Sequence, residues 1–396
     1  MTKVLILGGD SDHNLGDAAI FESMCHALYG SDRTVEITAI SNLRMPGSSP
    51  GLVKLLPTGL AGYASLVEAA SRQDLVIIGG GGLFQDDDSR VKMPYWGLRT
   101  FLMGCANARV VGHSLGAGPL QHWESRLFAR IACASMSSVS VRDRYAHGWL
   151  SRCTSKPVDI VPDPAFMLQP APAQIADGII ADAGLPAGPV IGIALRRWFH
   201  QRGFLPHKLR VRMGLDNDSG AAEMARLIAE LSTLIERLAR TQGCGVLMMP
   251  SYDLAHEGDT AACRQVAVHL RERIPIGVAS IRSAAEYKAV TGRLRLLISS
   301  RMHPLIFAVA MGTPVVGMAY NGKFDGMFQM LGMPPRMIML DDFRRGNPVP
   351  QIEQLIAEAL ADPTDYRQRA RILADITAAR TSGLITDRAG ATVASM

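Results

Sequence analysis

Apolar residues come in short uninterrupted runs along this chain, and longer amphipathic stretches separate them. The first run is Lys3-Val4-Leu5-Ile6-Leu7-Gly8-Gly9, and Asp17 then opens an apolar-periodic segment from Ala18 to Leu28, which reads as strand, loop and helix. Residues 34–40, 74–79, 108–113, 138–141 and 158–161 repeat the run, with spacers long enough for helices. A stretch holding Pro170, Pro172, Pro186 and Pro189 interrupts the pattern, as an interdomain connection would. Beyond it the alternation restarts with runs at 190–195, 246–249, 276–281, 294–299 and 314–318 and a long helical period from Ala221 to Arg240. Buried runs alternating with helices predict parallel sheets covered on both faces, so the expected class is α/β. The expected division is 1–170, 188–345 and a tail, 346–396, whose Ala, Leu, Ile and Arg pattern predicts helices packing on the body.

Composition narrows the class further. With 396 residues, 48% hydrophobic and only 19% charged, the chain can fill two globular cores and is neither disordered nor a coiled coil. Its net charge of +5 is too small to argue for nucleic acid; it suits anionic small substrates or an anionic membrane face. Six cysteines, at 25, 105, 133, 153, 244 and 263, show no C-x-x-C spacing, so no zinc or redox site is expected and a reduced, cytoplasmic protein is. Residues 1–7 lack the regions of a signal peptide, and Gly312, Pro314 and Gly317 interrupt the longest uncharged window, so no spanning helix is expected.

Ligands of parallel sheets sit at the carboxyl ends of the strands. There, His13-Asn14-Leu15-Gly16-Asp17 precedes a helix whose free N–H groups suit an anion or a sugar hydroxyl, unless Asp17 merely caps it. Gly79-Gly80-Gly81-Gly82 would let backbone approach a ligand with no Cβ in the way, so Gly80, Gly81 and Gly16 are expected beside one. Neither loop matches the dinucleotide or phosphate-loop patterns, which argues against a dehydrogenase and a nucleoside triphosphatase. Ser114 lacks the G-x-S-x-G elbow of a nucleophile because Leu115 separates it from Gly116. The sharpest constellation is Leu296-Leu297-Ile298-Ser299-Ser300 followed by Arg301-Met302-His303, which puts two cationic groups at a helix start beyond a buried strand. Lys323 after Tyr320-Asn321-Gly322, and Arg142 after Val139-Ser140-Val141, emerge at equivalent strand ends. Each alone reads equally well as an ion-paired residue; together they predict a basic pocket.

The ordered set of these segments resembles the polysaccharide pyruvyl transferase family. It comprises Asn14 to Asp17, Gly79 through Leu83-Phe84-Gln85-Asp86, Gly112 to Pro119, Val141-Arg142-Asp143, Pro162-Asp163-Pro164-Ala165-Phe166 and Ser300 through Ala308, and spans roughly Val4 to Leu331. The resemblance implies a GT-B-like fold, two Rossmann-like domains facing across a cleft, the first on the acceptor side and the second holding the donor. It implies transfer of pyruvate from phosphoenolpyruvate to two hydroxyls of a sugar in a cell-surface polysaccharide or its lipid-linked precursor, forming a ketal and releasing phosphate. By resemblance Arg142, Arg301, His303 and Lys323 bind the donor, and His303 moves the proton. The chemistry agrees: the donor carries about three negative charges that bidentate arginines match, and histidine is the local residue type whose unperturbed pKa is near neutrality. Asp17 and Asp163 are the candidate bases, Arg196 and Trp198 the candidate acceptor contacts, and neither metal nor cofactor is required. The basic continuation through Arg202, Lys208, Arg210 and Arg212 suits a pyrophosphate-linked acceptor or the inner membrane face, or else is a solvated loop. One departure is Asn321-Gly322-Lys323, where the family often has Asp-Pro-Lys. The competing expectation is a nucleotide-sugar glycosyltransferase of the same architecture, although no acidic ribose clamp is evident; the oligomeric state is left open.

Overall fold

The structure is a computed structural model that describes residues 2–8, 13–40, 53–56, 62–87, 89–106, 109–198, 213, 220–252 and 258–386. In chain order, the first part holds β1 (Lys3–Leu7), α1 (Leu15–Ser31), β2 (Glu36–Ile40), β3 (Val53–Leu56), α2 (Gly62–Ser71), β4 (Leu75–Gly79), α3 (Lys92–Cys105), β5 (Arg109–Leu115), α4 (Trp123–Ser135), β6 (Ser138–Val141), α5 (Arg144–Leu150) and β7 (Val158–Ile160). The proline-rich connection contains a helix, α6 (Ala173–Asp182). The second part holds β8 (Val190–Ala194), α7 (Ala221–Gln242), β9 (Gly245–Met248), α8 (Asp259–Leu270), β10 (Ile276–Val278), α9 (Ala284–Thr291), β11 (Leu296–Ser299), α10 (Met302–Met311), β12 (Val315–Ala319), α11 (Lys323–Leu331) and β13 (Met337–Met339). Three helices follow: α12 (Asp342–Arg345), α13 (Val349–Ala361) and α14 (Arg367–Thr386).

The first sheet has seven strands in the order β3-β2-β1-β4-β5-β6-β7 and the second six in the order β10-β9-β8-β11-β12-β13, every pairing being parallel. Both sheets are buried on two faces, which is why their strands read as unbroken apolar runs. In β1, Val4 and Ile6 join the cluster around α1 while Leu5 and Leu7 join the cluster beneath α3. The chain order reverses direction between β1 and β4 and again between β8 and β11, and such switch points open a crevice at the strands' carboxyl ends.

Those two carboxyl edges face each other. An antiparallel bridge joins Asn14 to Tyr252, and the Leu15 amide donates to the Ser251 carbonyl at 3.1 Å. Lys288 of α9 donates to the Phe166 and Leu168 carbonyls of the first part at 3.2 and 2.6 Å. Burial lowers this lysine to about 8. The last helix, α14, returns to the first sheet: His113 Nε2 and Thr381 Oγ1 are 2.8 Å apart, and the Thr377 hydroxyl donates to the Pro162 carbonyl at 3.1 Å. Among the described residues no helix is long and apolar enough to cross a membrane.

Candidate functional site

At the second switch point, β11 ends at Ser299 and α10 begins at Met302, so Arg301 projects from the turn between them and His303 from the first turn of α10. His303 crosses to the first part and lies over Gly16: a Cβ added there would stand 2.0 Å from His303 Nδ1. Gly16 therefore serves close approach of an imidazole. On its other side, His303 Nε2 stands 3.7 Å from Asp163 Oδ2, a charge contact beyond hydrogen-bond length. Nε2 is buried with no hydrogen-bond partner among the described residues.

Asp163 follows β7 and is nearly sealed from solvent, at 3% exposure. Its Oδ1 accepts from the Ala165 amide at 3.0 Å, and its Oδ2 accepts from Arg142 at 3.1 Å. Burial alone would raise this carboxyl, but His303, Arg142 and the Ala165 amide outweigh it and hold it at about 2. Arg142 also meets Asp143 at 3.3 Å. Burial would lower its guanidinium, and Asp163 and Asp143 raise it instead. Asp143 in turn caps α5 by accepting from the Ala146 amide at 2.7 Å, so β6 delivers Arg142 from a braced helix start.

A second cationic group gathers around one ring. Lys323 hydrogen-bonds the Tyr320 hydroxyl and its ammonium lies 4.2 Å from the centre of that ring, while the Arg196 guanidinium lies 4.4 Å from it. Burial lowers Lys323, aided by Arg142 and Arg196, and Tyr320 and Asp87 oppose that shift. For Tyr320 burial is the largest influence and raises the phenol, yet Lys323, Arg196 and Arg301 together bring it below its ordinary value. Arg301 makes a two-pronged pair with buried Asp259, at 2.6 and 3.1 Å, and stacks 5.1 Å from the Tyr252 ring centre. Electrostatic coupling of Tyr320 to Arg142 and Arg301, and of Lys323 to Arg142, ties the two groups into one basic region.

Several expectations change in detail. Asn14 is the cap of α1, its side chain accepting from the Gly16 amide at 3.0 Å; Asp17 sits in the first turn and accepts from the Asn14 side chain at 3.0 Å. Gly80 and Gly81 do take positive φ, 75° and 69°, but the space their missing Cβ atoms leave is filled by Ile20 and by the Asp17 carboxylate. Trp198 is not an open platform for a sugar: it is 4% exposed, packed 4.8 Å from Tyr320 and 5.0 Å from Arg196, because the apolar core behind β8 takes up its ring. Ser114 is buried and its hydroxyl donates to the Pro162 carbonyl, a structural role. Phe199, His200, Arg202, Lys208, Arg210 and Arg212 lie outside the described residues. Within Asn321-Gly322-Lys323, a Cβ at Gly322 would stand 2.4 Å from the Tyr145 ring, so a larger residue there would collide with that aromatic. Asn321 donates to Asp87 at 2.7 Å and accepts from the Lys323 amide at 3.2 Å, which ties the loop to the first part.

Tyr320, Asp87 and Asp259 were not singled out from the sequence. Tyr320 adjoins the Lys323 segment and was accessible to the same reasoning; Asp87 and Asp259 acquire meaning only through partners 234 and 42 positions away. Among the described residues no group of three or more His, Cys, Asp or Glu side chains is placed to hold a metal ion.

The fold has many relatives. Sucrose-phosphate synthase from Thermosynechococcus elongatus superposes with a TM-score of 0.60 at 14% identity, covering 98% of this chain and 99% of that one. UDP-GlcNAc 2-epimerase from Methanocaldococcus jannaschii gives 0.59 at 11%, covering 95% and 99%, and Anabaena HepE in complex with UDP and glucose gives 0.56 at 13%, covering 98% and 99%. At such identities the likeness establishes the architecture alone, that of GT-B glycosyltransferases and epimerases. No curated protein sequence matches the chain. The sequence model of polysaccharide pyruvyl transferase matches residues 14–322, which takes in both facing edges and every loop that carries His303, Arg142, Asp163 and Arg301. The chain belongs to the polysaccharide pyruvyl transferase family.

Proposed function

We propose that this protein transfers the pyruvyl group of phosphoenolpyruvate onto two hydroxyls of one sugar in a cell-surface polysaccharide or its lipid-linked precursor. The observation that carries the reading is His303: a buried ring nitrogen with no hydrogen-bond partner among the described residues, beside Asp163, in a region supplied with Arg142, Arg196, Arg301 and Lys323. A donor with a carboxylate and a phosphate suits that gathering of cations.

The reaction balances without any redox partner. His303 gives a proton to the methylene carbon, leaving positive charge on the central carbon, and an acceptor hydroxyl oxygen forms a bond to that carbon. Asp17, next to the glycine on which His303 rests, is the base proposed for the hydroxyl proton. Phosphate departs with the electron pair of the broken C–O bond while Lys323 and an arginine neutralise its charge, and a second hydroxyl closes the ketal. Of the two hydroxyl protons lost, one balances the new methyl group and the other the released phosphate. In this reading Asp163 is no free base; its carboxylate is committed to Arg142 and the Ala165 amide and lies beside the imidazole. No metal or cofactor enters the scheme.

Mass spectrometry of candidate glycan precursors incubated with phosphoenolpyruvate tests this, together with an assay for free phosphate. A ketal-sized increment with matching phosphate release is expected. Turnover of a sugar nucleotide with phosphoenolpyruvate untouched would replace the reading with a glycosyl transfer.

A further inference from the structure

Helices α3 and α4 follow successive parallel strands and pack closely: a Cβ added at Gly97 would stand 2.7 Å from Phe128, and one at Gly104 3.1 Å from Ser135. These contacts fix which face of each helix looks outward. On α3 the outward positions are Pro94, Tyr95, Leu98, Phe101, Leu102 and Cys105, a face without a single charge. On α4 they include Trp123 and Leu127. Tyr95 is 44% exposed, Leu98 48%, Phe101 44%, Trp123 68% and Leu127 42%, so five of the eleven large apolar side chains exposed among the described residues lie on this one pair of helices. Scattered exposed apolar residues need no explanation, but a continuous stripe over two adjoining helices does.

The charges around the stripe are mainly basic. Of the four basic residues of the two helices, Arg99 is buried against Tyr95 and Trp96, while Lys92, Arg126 and Arg130 reach the surface; the one acid, Glu124, is paired by Arg90 at 2.8 Å. Arg126 and Arg130 are exposed along the far side of α4. We propose that the outer face of the α3–α4 pair docks on an anionic lipid bilayer, with the aromatic and leucine side chains entering the interface and the arginines meeting the headgroup phosphates. A second copy of the same face fits less well, since it would present further arginines and, on these two helices, no acid beyond the Arg90-paired Glu124 to meet them.

The placement has a functional consequence. The amino end of α3 follows the Gly79–Gly82 loop, and the amino end of α4 is pinned by Asp86, which accepts from the Gln121 and His122 amides at 3.1 and 2.9 Å. Docking on this face would hold the amino ends of α3 and α4, which lie at the carboxyl edge of the first sheet, at the bilayer surface.

The test is co-sedimentation of the full-length protein with vesicles of phosphatidylcholine alone and of phosphatidylcholine mixed with phosphatidylglycerol. At least about tenfold tighter binding to the anionic vesicles is expected, weakening as salt is added. Leu98→Glu combined with Trp123→Glu, and separately Arg126→Glu combined with Arg130→Glu, should each reduce binding by about tenfold or more. Circular dichroism and melting curves establish that these exposed substitutions leave the fold intact. Wild-type protein that stays in the supernatant with both vesicle types, or variants that bind as wild type does, overturns the proposal. So does a lipid-free dimer, seen by light scattering, that Leu98→Glu with Trp123→Glu converts to a monomer; this outcome assigns the face to a second copy.

Discussion

His303 carries a buried ring nitrogen without a hydrogen-bond partner among the described residues, a condition that costs about 1–3 kcal/mol and that packing alone would not maintain. Two neighbours sustain it, Asp163 by its charge and Gly16 by its missing side chain. Replacing His303 with Ala should cut turnover by about a hundredfold or more with little change in melting temperature, and near-normal turnover would remove it from the chemistry. Gly16→Ala tests the same geometry from the opposite side. Its Cβ would overlap the imidazole, so steady-state assays should show kcat falling by roughly tenfold or more, and unfolding curves a loss of about 1–3 kcal/mol. Asp163 gives a pH signature. Its carboxyl lies at about 2 in the folded protein against an ordinary value of 3.8, so it stabilises the fold by roughly 2 kcal/mol above pH 4. That contribution disappears as the pH falls through 2. Urea unfolding of wild type and Asp163→Asn should therefore diverge at neutral pH and converge between about pH 4 and 2; curves separated by a constant gap would show that the charge on Asp163 is not what matters.

Among the elements, α14 behaves differently from what its surface pattern suggests. It crosses back to the first sheet and seals His113, whose Nε2 meets Thr381. Burial, and secondarily Arg380, lower this imidazole from 6.5 to about 4. A depressed folded value means the stabilisation is complete above pH 6.5 and is lost as the pH falls toward 4, by roughly 3 kcal/mol in all. Hydrogen exchange, corrected for intrinsic rates, should show residues 377–385 losing protection over that window before the strands do. Uniform protection down to pH 4 would mean that His113 charges without loosening α14. The same scale shows where pattern reading ran out. The long buried strands were plain as apolar runs, whereas β3 and β13, four and three residues long at the sheet edges, carry too little periodicity to stand out. The proline-rich connection concealed α6, because prolines at 170, 172, 186 and 189 all fall outside Ala173–Asp182.

Across the whole molecule, the cleft draws its charge from two sheets. Arg142 comes from the first part, and Arg196, Arg301, His303 and Lys323 from the second; no single sheet assembles them. If phosphoenolpyruvate is the donor, it binds only the folded molecule and should raise thermal stability by about 2.7 kcal/mol at a hundred times its Kd. Arg301→Ala should raise the donor KM and shrink that gain. It should also lower the melting temperature without donor, because Asp259 remains buried and unpaired. A donor-induced shift identical in Arg301→Ala and wild type would place Arg301 outside the binding site.

The apolar pattern of the chain dictated the alternation of buried strands with helices, and with it two parallel sheets, since a strand covered on both faces must be apolar at every position. It also determined which strand ends bear cations, because Arg142, Arg301, His303 and Lys323 each follow an apolar run within a few residues. What those groups do to one another depends on how the folded elements pack. Gly16 under His303, Asp163 between Arg142 and His303, and Tyr320 between Lys323 and Arg196 are contacts across folded elements, and periodicity along a chain carries no information about distance between its strand ends. The same reason separates Trp198 from its expected role: an aromatic after a strand end reads alike whether its ring faces a cleft or a core, and only packing decides which.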